Sequence, residues 1–282
     1  MHVDWTDQPY GSFVFEGEGS GSLRDVTEDN LIFRAMRYAA DAEEIDLRPA
    51  RILVQNDIPL ARGLGSSGAA IIAGLSVFEA VSGIFLPPGK LLAYATQIEG
   101  HSDNVSAALL GSFVVSCLTA DGGVVAQRLE WPDTIRAVVV IPDLKVRTEQ
   151  ARAVLPDQVA YRDVVFNIQR SSLMVAAIGS GRLDSMREAM RDRLHQPYRA
   201  ELVPGLARIL EMDGQELICA PGYLGIALSG SGPTVIALAT GDFDRIAGLI
   251  ESGFRETGVE CRHIVLPIDV DGRVVEEFVE DE

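Results

Sequence analysis

Lysine is nearly absent from this 282-residue chain: Lys90 and Lys145 are its only two, and arginine carries almost all the positive charge. The formal net charge is −17. That argues against the broad basic surface a nucleic-acid partner needs, although a local arginine cluster can still hold a small anion. Cysteine is scarce as well. Cys117, Cys219 and Cys261 stand far apart and outside any paired motif, so neither a disulfide framework nor a zinc site is expected. No apolar run approaches the ~20 residues that span a bilayer, and the start MHVDWTDQPYG lacks the charged-then-apolar plan of a secretory signal. The expectation is a soluble, cytoplasmic protein with neither membrane nor nucleic-acid partners. The nucleotide loop that ends in Gly-Lys-Ser/Thr is also missing.

What is present is a hydrophobic content of 47%, enough for a sizeable core, and a length that fits one large domain or two ordinary ones, with two expected. GSFVFEGEG reads as strand and turn, EDNLIFRAMRYAADA as an amphipathic helix, and ARILVQNDIPL as a strand. Helices follow at AAIIAGLSVFEAVSG, KLLAYATQIEG and SDNVSAALLG, then strands at GSFVVSCL, GVVAQRLEW and TIRAVVVIP, the last valine-rich and so expected to be buried. The second half opens with helices: EQARAVLP, a long segment from Asp163 to Ile178, a shorter one from Leu183 to Arg193, and LVPGLARILEMDG. It closes as strand, turn, strand, helix, strand through YLGIALSG, SGP, TVIALAT, FDRIAGLIESGF and VECRHIVLPI. The boundary is placed near Trp131 to Thr134, and the acidic end EEFVEDE reads as a solvated tail.

Three stretches could carry chemistry. PLARGLGSSGAA, at 59–70, sits at a strand-to-helix junction. Gly63, Gly65 and Gly68 permit positive φ and leave no Cβ in the way of a ligand, Ser66 or Ser67 can cap the helix, and a helix start favours an anion, phosphate being the commonest. With no lysine after Gly65 or Gly68, backbone N–H groups, serine hydroxyls and a metal must do the holding; the plainer reading is a glycine-rich helix entry. IEGHSDNVSAALLGSF crowds Glu99, His101, Asp103 and Asn104 into a break between helices. One carboxylate there and a loop hydroxyl suit Mg²⁺, while a polar turn capped by Asp103 is the competing reading. LSGSGPTVIAL, with Ser229 to Pro233 between two apolar strands, is by itself only a turn.

These three stretches occur in the same order and at the same spacing in the GHMP small-molecule kinases, and the chain most resembles the homoserine kinases among them. ARAVLP at 151–156 and QPYRAELVPG at 196–205 are similar to the arginine-bearing segments that set that group apart from mevalonate-type relatives. The likeness runs from about Gly17 to the C-terminus. It implies an α+β chain with the GHMP kinase fold. Residues 1–132 would form an N-terminal α/β nucleotide-binding domain with the glycine-rich ATP loop, and residues 133–282 a ferredoxin-like C-terminal domain. It also implies ATP-dependent phosphorylation of the L-homoserine hydroxyl to O-phospho-L-homoserine in threonine biosynthesis, with Mg²⁺.

By the same resemblance Gly63 to Ser67 (Gly63, Leu64, Gly65, Ser66, Ser67) cradle the ATP phosphates, with Pro59, Arg62 and Gly68 alongside. Asn30 lies near the nucleotide base or ribose, and Ser229, Gly230 and Gly232 close the floor of the site. Ser67 and Glu99 bind Mg²⁺. Arg152 and Arg199 receive the amino-acid carboxylate, each able to meet it with two parallel hydrogen bonds. His101, Asp103 and Asn104 face the amino and hydroxyl ends of the substrate. Asp103 and Asn104 are the catalytic candidates, Asp103 as base or as ammonium ligand, Asn104 as orienter of the hydroxyl. A homodimer is left open.

One departure is visible. Members of the group begin with a motif contributing an asparagine and an aspartate to the amino-acid site, and nothing in MHVDWTDQPYGSFVF matches it. Roughly forty residues of strand, loop and strand are expected upstream, on typical strand and loop lengths. The alternatives are therefore a kinase for another small alcohol or a truncated, catalytically impaired homologue.

Overall fold

The computed structural model describes residues 1–5, 12–20 and 30–277. Part of the N-terminal stretch without the expected motif, and the acidic end from 278 onward, lie outside those residues. The described residues pack as two units. One is drawn from Met1–Leu60, Gly65–Arg128 and Asp269–Glu282, the other from Ala61–Leu64 and Leu129–Ile268.

The first unit opens with strands β1 (His2–Trp5) and β2 (Ser12–Gly17), then helix α1 (Leu31–Ala42) and strand β3 (Ala50–Asn56). β3 is the middle strand, parallel to β2 and antiparallel to β1. It buries Ala50, Ile52 and Val54 and turns the residues between them outward, the period of a half-buried strand. In α1 the buried residues are Ile32, Ala35, Met36, Ala39 and Ala40, one stripe at helical spacing. Asn30 caps it, its Oδ1 accepting from Ile32 N at 3.0 Å and Phe33 N at 3.3 Å.

Helix α2 (Ser66–Ser82) is apolar nearly all round and forms the centre of this unit, with Ile71, Leu75, Val77 and Phe78 fully buried. Sequestering a side chain such as Phe78 contributes about 2–3 kcal/mol. Gly74 lets α1 and α2 meet closely, since a Cβ there would lie 2.2 Å from the Ile32 carbonyl oxygen. Helices α3 (Pro88–Glu99) and α4 (Asp103–Leu110) follow, separated by Gly100, which takes the left-handed conformation that ends α3. β4 (Phe113–Leu118) and β5 (Val124–Leu129) form a two-stranded sheet.

Residues after Ile268 complete this unit as a strap. Ser112 N donates to Asp269 O at 2.7 Å, Arg128 Nη2 to Val270 O at 2.8 Å, and Arg273 N to Leu109 O at 3.1 Å. Arg273 Nη1 lies 2.6 Å from Glu79 Oε2, both side chains being largely buried, and Glu79 Oε1 accepts from Leu86 N.

The second unit is built on β6 (Arg136–Pro142), whose Ala137 to Ile141 are all buried, as its valines led one to expect. Helices α5 (Thr148–Ala153), α6 (Tyr161–Ser180), α7 (Met186–Ala189), α8 (Gln196–Arg199) and α9 (Leu206–Glu211) come next, then β7 (Tyr223–Leu228), β8 (Val235–Ala239), α10 (Phe243–Arg255) and β9 (Cys261–Pro267). The sheet order β7, β8, β6, β9 is antiparallel throughout. With α6 and α10 as the main helices between strands, this is the ferredoxin-like β-α-β-β-α-β order expected of the C-terminal half. α10 buries Ile246, Ala247, Ile250 and Phe254 along one stripe.

One reading changes here. The single helix expected from Leu183 to Arg193 is a 3-10 turn, Leu183–Ser185, followed by the four-residue α7. The chain leaves helical geometry there because Asn167 of α6 holds the next segment, donating from Nδ2 to Asp192 Oδ1 and accepting Arg193 N at 2.9 Å. β1 and α8 are too short to carry a periodic signal in the sequence.

Candidate functional site

In the first unit the chemistry gathers at the start of α2. The helix is capped by Gly65, left-handed at φ 73°, with no side-chain cap hydrogen bond. Ser66 and Ser67 sit inside the helix, so neither caps it as expected. This leaves the backbone N–H groups of the first turn as an anion-binding end. Gly68 presses against α4, a Cβ there lying 3.0 Å from Asn104 Cβ, and the Asn104 amide stands beside Gly65.

Ser67 Oγ donates to Glu99 Oε1 at 2.5 Å, and only 9% of the Glu99 side chain is exposed. His101 Nε2 lies 3.8 Å from the same Glu99 oxygen, while its Nδ1 pairs with Asp103 Oδ1. That Asp103 oxygen also accepts the Asn104 backbone N–H at 2.7 Å, and the Asp103 side chain is 76% exposed. Glu99, His101, Asp103 and Asn104 thus form one continuous cluster against Ser67 and Gly68. A hydroxyl and a carboxylate oxygen side by side are the hard donors Mg²⁺ takes, one or two from protein and the rest from water and phosphates. Among the described residues no cluster of three or more His, Cys, Asp or Glu could hold a metal.

In the second unit the early part of the glycine loop meets the Ser229 turn. Ser229 Oγ donates to Gly63 O at 2.8 Å, and Thr234 N to Arg62 O at 3.3 Å. Gly230 and Gly232 are left-handed, at φ 54° and 79°. Arg62 Nη2 donates to Asp143 Oδ1 at 3.0 Å. Gly63 has φ 75°, and a Cβ on it would lie 2.2 Å from Ser229 O. Gly63→Ala is therefore expected to cost at least about 2 kcal/mol and to lower the melting temperature by about 4–8 °C. Gly83→Ala, at φ 72° with open space around it, is the control, and costs only the backbone strain of about 1 kcal/mol.

Arg199 joins three of the segments singled out in the sequence. Its Nε donates to Ala151 O at 3.2 Å, its Nη1 to Gly230 O at 2.8 Å, and Nη1 also lies 3.3 Å from His195 Nδ1. The bidentate fork expected of Arg199 is thus partly committed, and among the described residues Nη2 is the nitrogen left over. Arg152, next to Ala151, is exposed, acts electrostatically on Arg199, and among the described residues its guanidinium has no hydrogen bond or ion pair. Two neighbouring cations with spare donors suit a carboxylate.

The support beneath Arg199 was not anticipated. Gln196, buried, accepts Leu228 N on its Oε1 at 2.8 Å and ties α8 to β7. Asp192 Oδ2 accepts both His195 N and Gln196 N. Burial works against the Asp192 charge, but those bonds and the one from Asn167 hold its carboxyl below the usual value. The available signal was an aspartate four residues before Gln-Pro, a helix-start pattern. Asn30 is buried at the α1 cap, and its Nδ2 has no partner among the described residues. Pro59 is buried and Leu64 half-buried beside the glycines.

The N-terminal domain of the GHMP kinases matches residues 30–112, and their C-terminal domain matches residues 174–251. The homoserine kinase of Schizosaccharomyces pombe is 38% identical to this chain, covering 94% of it and 87% of the relative. That of Symbiobacterium thermophilum is 42% identical, covering 91% and 80%. Among solved structures, a homoserine kinase from Cytophaga hutchinsonii superposes with a TM-score of 0.82 at 25% identity, covering 96% of this chain and 86% of the other. Mevalonate kinase from L. major, at TM-score 0.63 and 16% identity, shares the fold.

Proposed function

Because this chain belongs to the homoserine kinase family of the GHMP kinases, we propose that it transfers the γ-phosphoryl group of ATP to the side-chain hydroxyl of L-homoserine. The products are O-phospho-L-homoserine and ADP, and the reaction serves threonine biosynthesis. The observation that carries the choice of substrate is the meeting of the 151–152, 195–199 and 229–230 segments at Arg199. An amino-acid carboxylate needs such a site, and a plain alcohol does not.

Phosphoryl transfer passes through a loose transition state, so alignment and charge stabilisation do most of the work. In this reading Gly63, Leu64, Gly65, Ser66, Ser67 and Gly68 hold the phosphates on backbone N–H groups, aided by Pro59, Arg62, Ser229, Gly230 and Gly232. Asn30 serves the base or ribose with its amide, whose Nδ2 has no partner among the described residues. Ser67 and Glu99 hold Mg²⁺, which when bound offsets charge on the transferring phosphoryl group. Arg152 and Arg199 take the homoserine carboxylate. Asn104, beside Gly65 at the start of α2, orients the hydroxyl, and His101 and Asp103 face the substrate's ammonium. A strong base is not required, so Asp103 serves the charge of the substrate first. We further assign residues 1–132 and 133–282 as the family's two halves in sequence, the stretch after Ile268 packing back on the first unit, and the cytoplasm as the compartment, where Cys117, Cys219 and Cys261 stay free thiols. No helix among the described residues is long and apolar enough to cross a membrane. A homodimer is the assembly proposed, on the family likeness.

The test is ATP consumption with homoserine, with mevalonate and with no acceptor. Homoserine-dependent ADP release supports the reading. Turnover with mevalonate instead assigns another alcohol, and no turnover with either marks an impaired homologue.

A further inference from the structure

We propose that His195 is a positioning residue of the homoserine site: its unprotonated Nδ1 accepts a hydrogen bond from Arg199 Nη1 and fixes the guanidinium so that Nη2 faces the substrate carboxylate. The inference rests on the function proposed above and adds to it a residue and a pH dependence.

Arginine has donors only. The 3.3 Å approach of Arg199 Nη1 to His195 Nδ1 therefore requires a lone pair on that nitrogen, and a neutral His195 must carry its proton on Nε2. Nε2 lies 3.6 Å from Asp192 Oδ1, which favours the same tautomer. The backbone that carries the ring is held, because the N–H groups of His195 and Gln196 are both bonded to Asp192, and Gln196 is pinned to Leu228. Asp192 is itself held by Asn167 of α6, and Arg193 stacks on Phe166 one residue away, at 3.9 Å from the ring centroid. With Nη1 shared between His195 and Gly230 O, and Nε on Ala151 O, the guanidinium plane is set on three sides.

Two charged groups face His195: Arg199 on its own short helix and Asp192 on the segment before it. Arg152 of α5 acts on Arg199 in turn. Burial, then the Arg199 charge, pushes the His195 pKa below its usual 6.5, with Asp192 opposing. The folded pKa is depressed, so His195 is neutral at pH 7. As pH falls below 6.5 through that lowered value, protonation removes the acceptor and sets an imidazolium against a guanidinium.

The experiment is steady-state kinetics from pH 5 to 8 on the full chain, His195→Ala and His195→Asn. Asn offers an oxygen where Nδ1 stood and does not titrate. The expected result for His195→Ala is a KM for homoserine raised about tenfold, with kcat and the KM for ATP within twofold. The fall in kcat/KM for homoserine below pH 6.5 disappears in both variants, and His195→Asn restores the KM. Imidazole ¹⁵N spectra of the unmodified chain are expected to show the Nε2–H tautomer. The proposal is overturned by an unchanged homoserine KM in His195→Ala, by equal losses for homoserine and ATP, by a persisting acid limb in His195→Asn, or by the other tautomer. An unmodified chain inert toward homoserine would instead overturn the proposed function itself.

Discussion

Replacing Glu99 by glutamine is expected to lower kcat by about two to three orders of magnitude while leaving the fold intact. Glutamine keeps the shape of the side chain and an oxygen that can still accept from Ser67 Oγ, so the hydrogen bond at the start of α2 survives. The negative charge does not. A metal-held charge on a transferring phosphoryl group is worth several kcal/mol, and three to four of those correspond to about two to three decades in rate. Because Glu99 is largely buried, with a neutral hydroxyl on one oxygen and His101 3.8 Å from it, little else nearby can replace its charge. The check is a Mg²⁺ titration of both proteins with melting curves alongside. Equal activity at limiting Mg²⁺ would remove Glu99 from the metal site, and a large drop in melting temperature would mean that the substitution acts through the fold.

The second large effect concerns the two arginines, which are expected to separate. Arg152→Lys should raise the KM for homoserine by about tenfold to a hundredfold, the worth of one charge-assisted hydrogen bond to the carboxylate, and leave the KM for ATP alone. Its guanidinium is exposed and, among the described residues, unpartnered, so the melting temperature should not move. Arg199→Lys should raise the homoserine KM at least as much. It also gives up the bonds to Ala151 O and Gly230 O, which a lysine cannot reproduce together. At about 1 kcal/mol each, that loss lowers the melting temperature by about 4–8 °C. Normal homoserine binding in both variants, or a loss confined to ATP, would take the carboxylate away from these residues.

Much of this could be read before any coordinates. β3 and β6 were legible because both are rich in β-branched and apolar letters, ARILVQN and RAVVVIP, although the alternating burial of the first shows only in the fold. α1 and α10 were legible from their apolar stripes. The segment from Leu183 to Arg193 was misread as one helix because its apolar spacing is helical, whereas Asn167, more than twenty residues away, decides where the chain turns. Tertiary bonds of that kind leave no local pattern. The same holds for the site. Glu99, His101, Asp103 and Asn104 were adjacent in sequence and so visible; donor chemistry suggested a carboxylate beside a loop hydroxyl, and the family resemblance named Glu99 and Ser67, which the fold brings into contact. The commitment of Arg199 to two carbonyls and His195 depends on three distant segments meeting, which only the fold reveals.

The strap from Asp269 to Arg273 has a consequence for how the protein is made. The chain leaves its first unit after Arg128 and comes back to it at Asp269, so in sequence the second unit, apart from Ala61–Leu64, is an insertion within the first. A ribosome works from the N-terminus and adds residues at about 5–20 per second. All the helices of the first unit are thus delivered before the residue that neutralises Glu79. Until Arg273 arrives, that carboxylate must wait in a half-finished core, and the Ser112 N–H has no carbonyl from Asp269 to meet. A chain stopped after Ile268 would keep every motif named above and still strand a charge that is buried in the finished protein, a fault of about 3–5 kcal/mol when one partner of such a pair is removed. The nascent protein therefore holds its glycine-rich loop and Glu99 well before it has the strap that completes their unit, and the first half to be synthesised is the last to be closed.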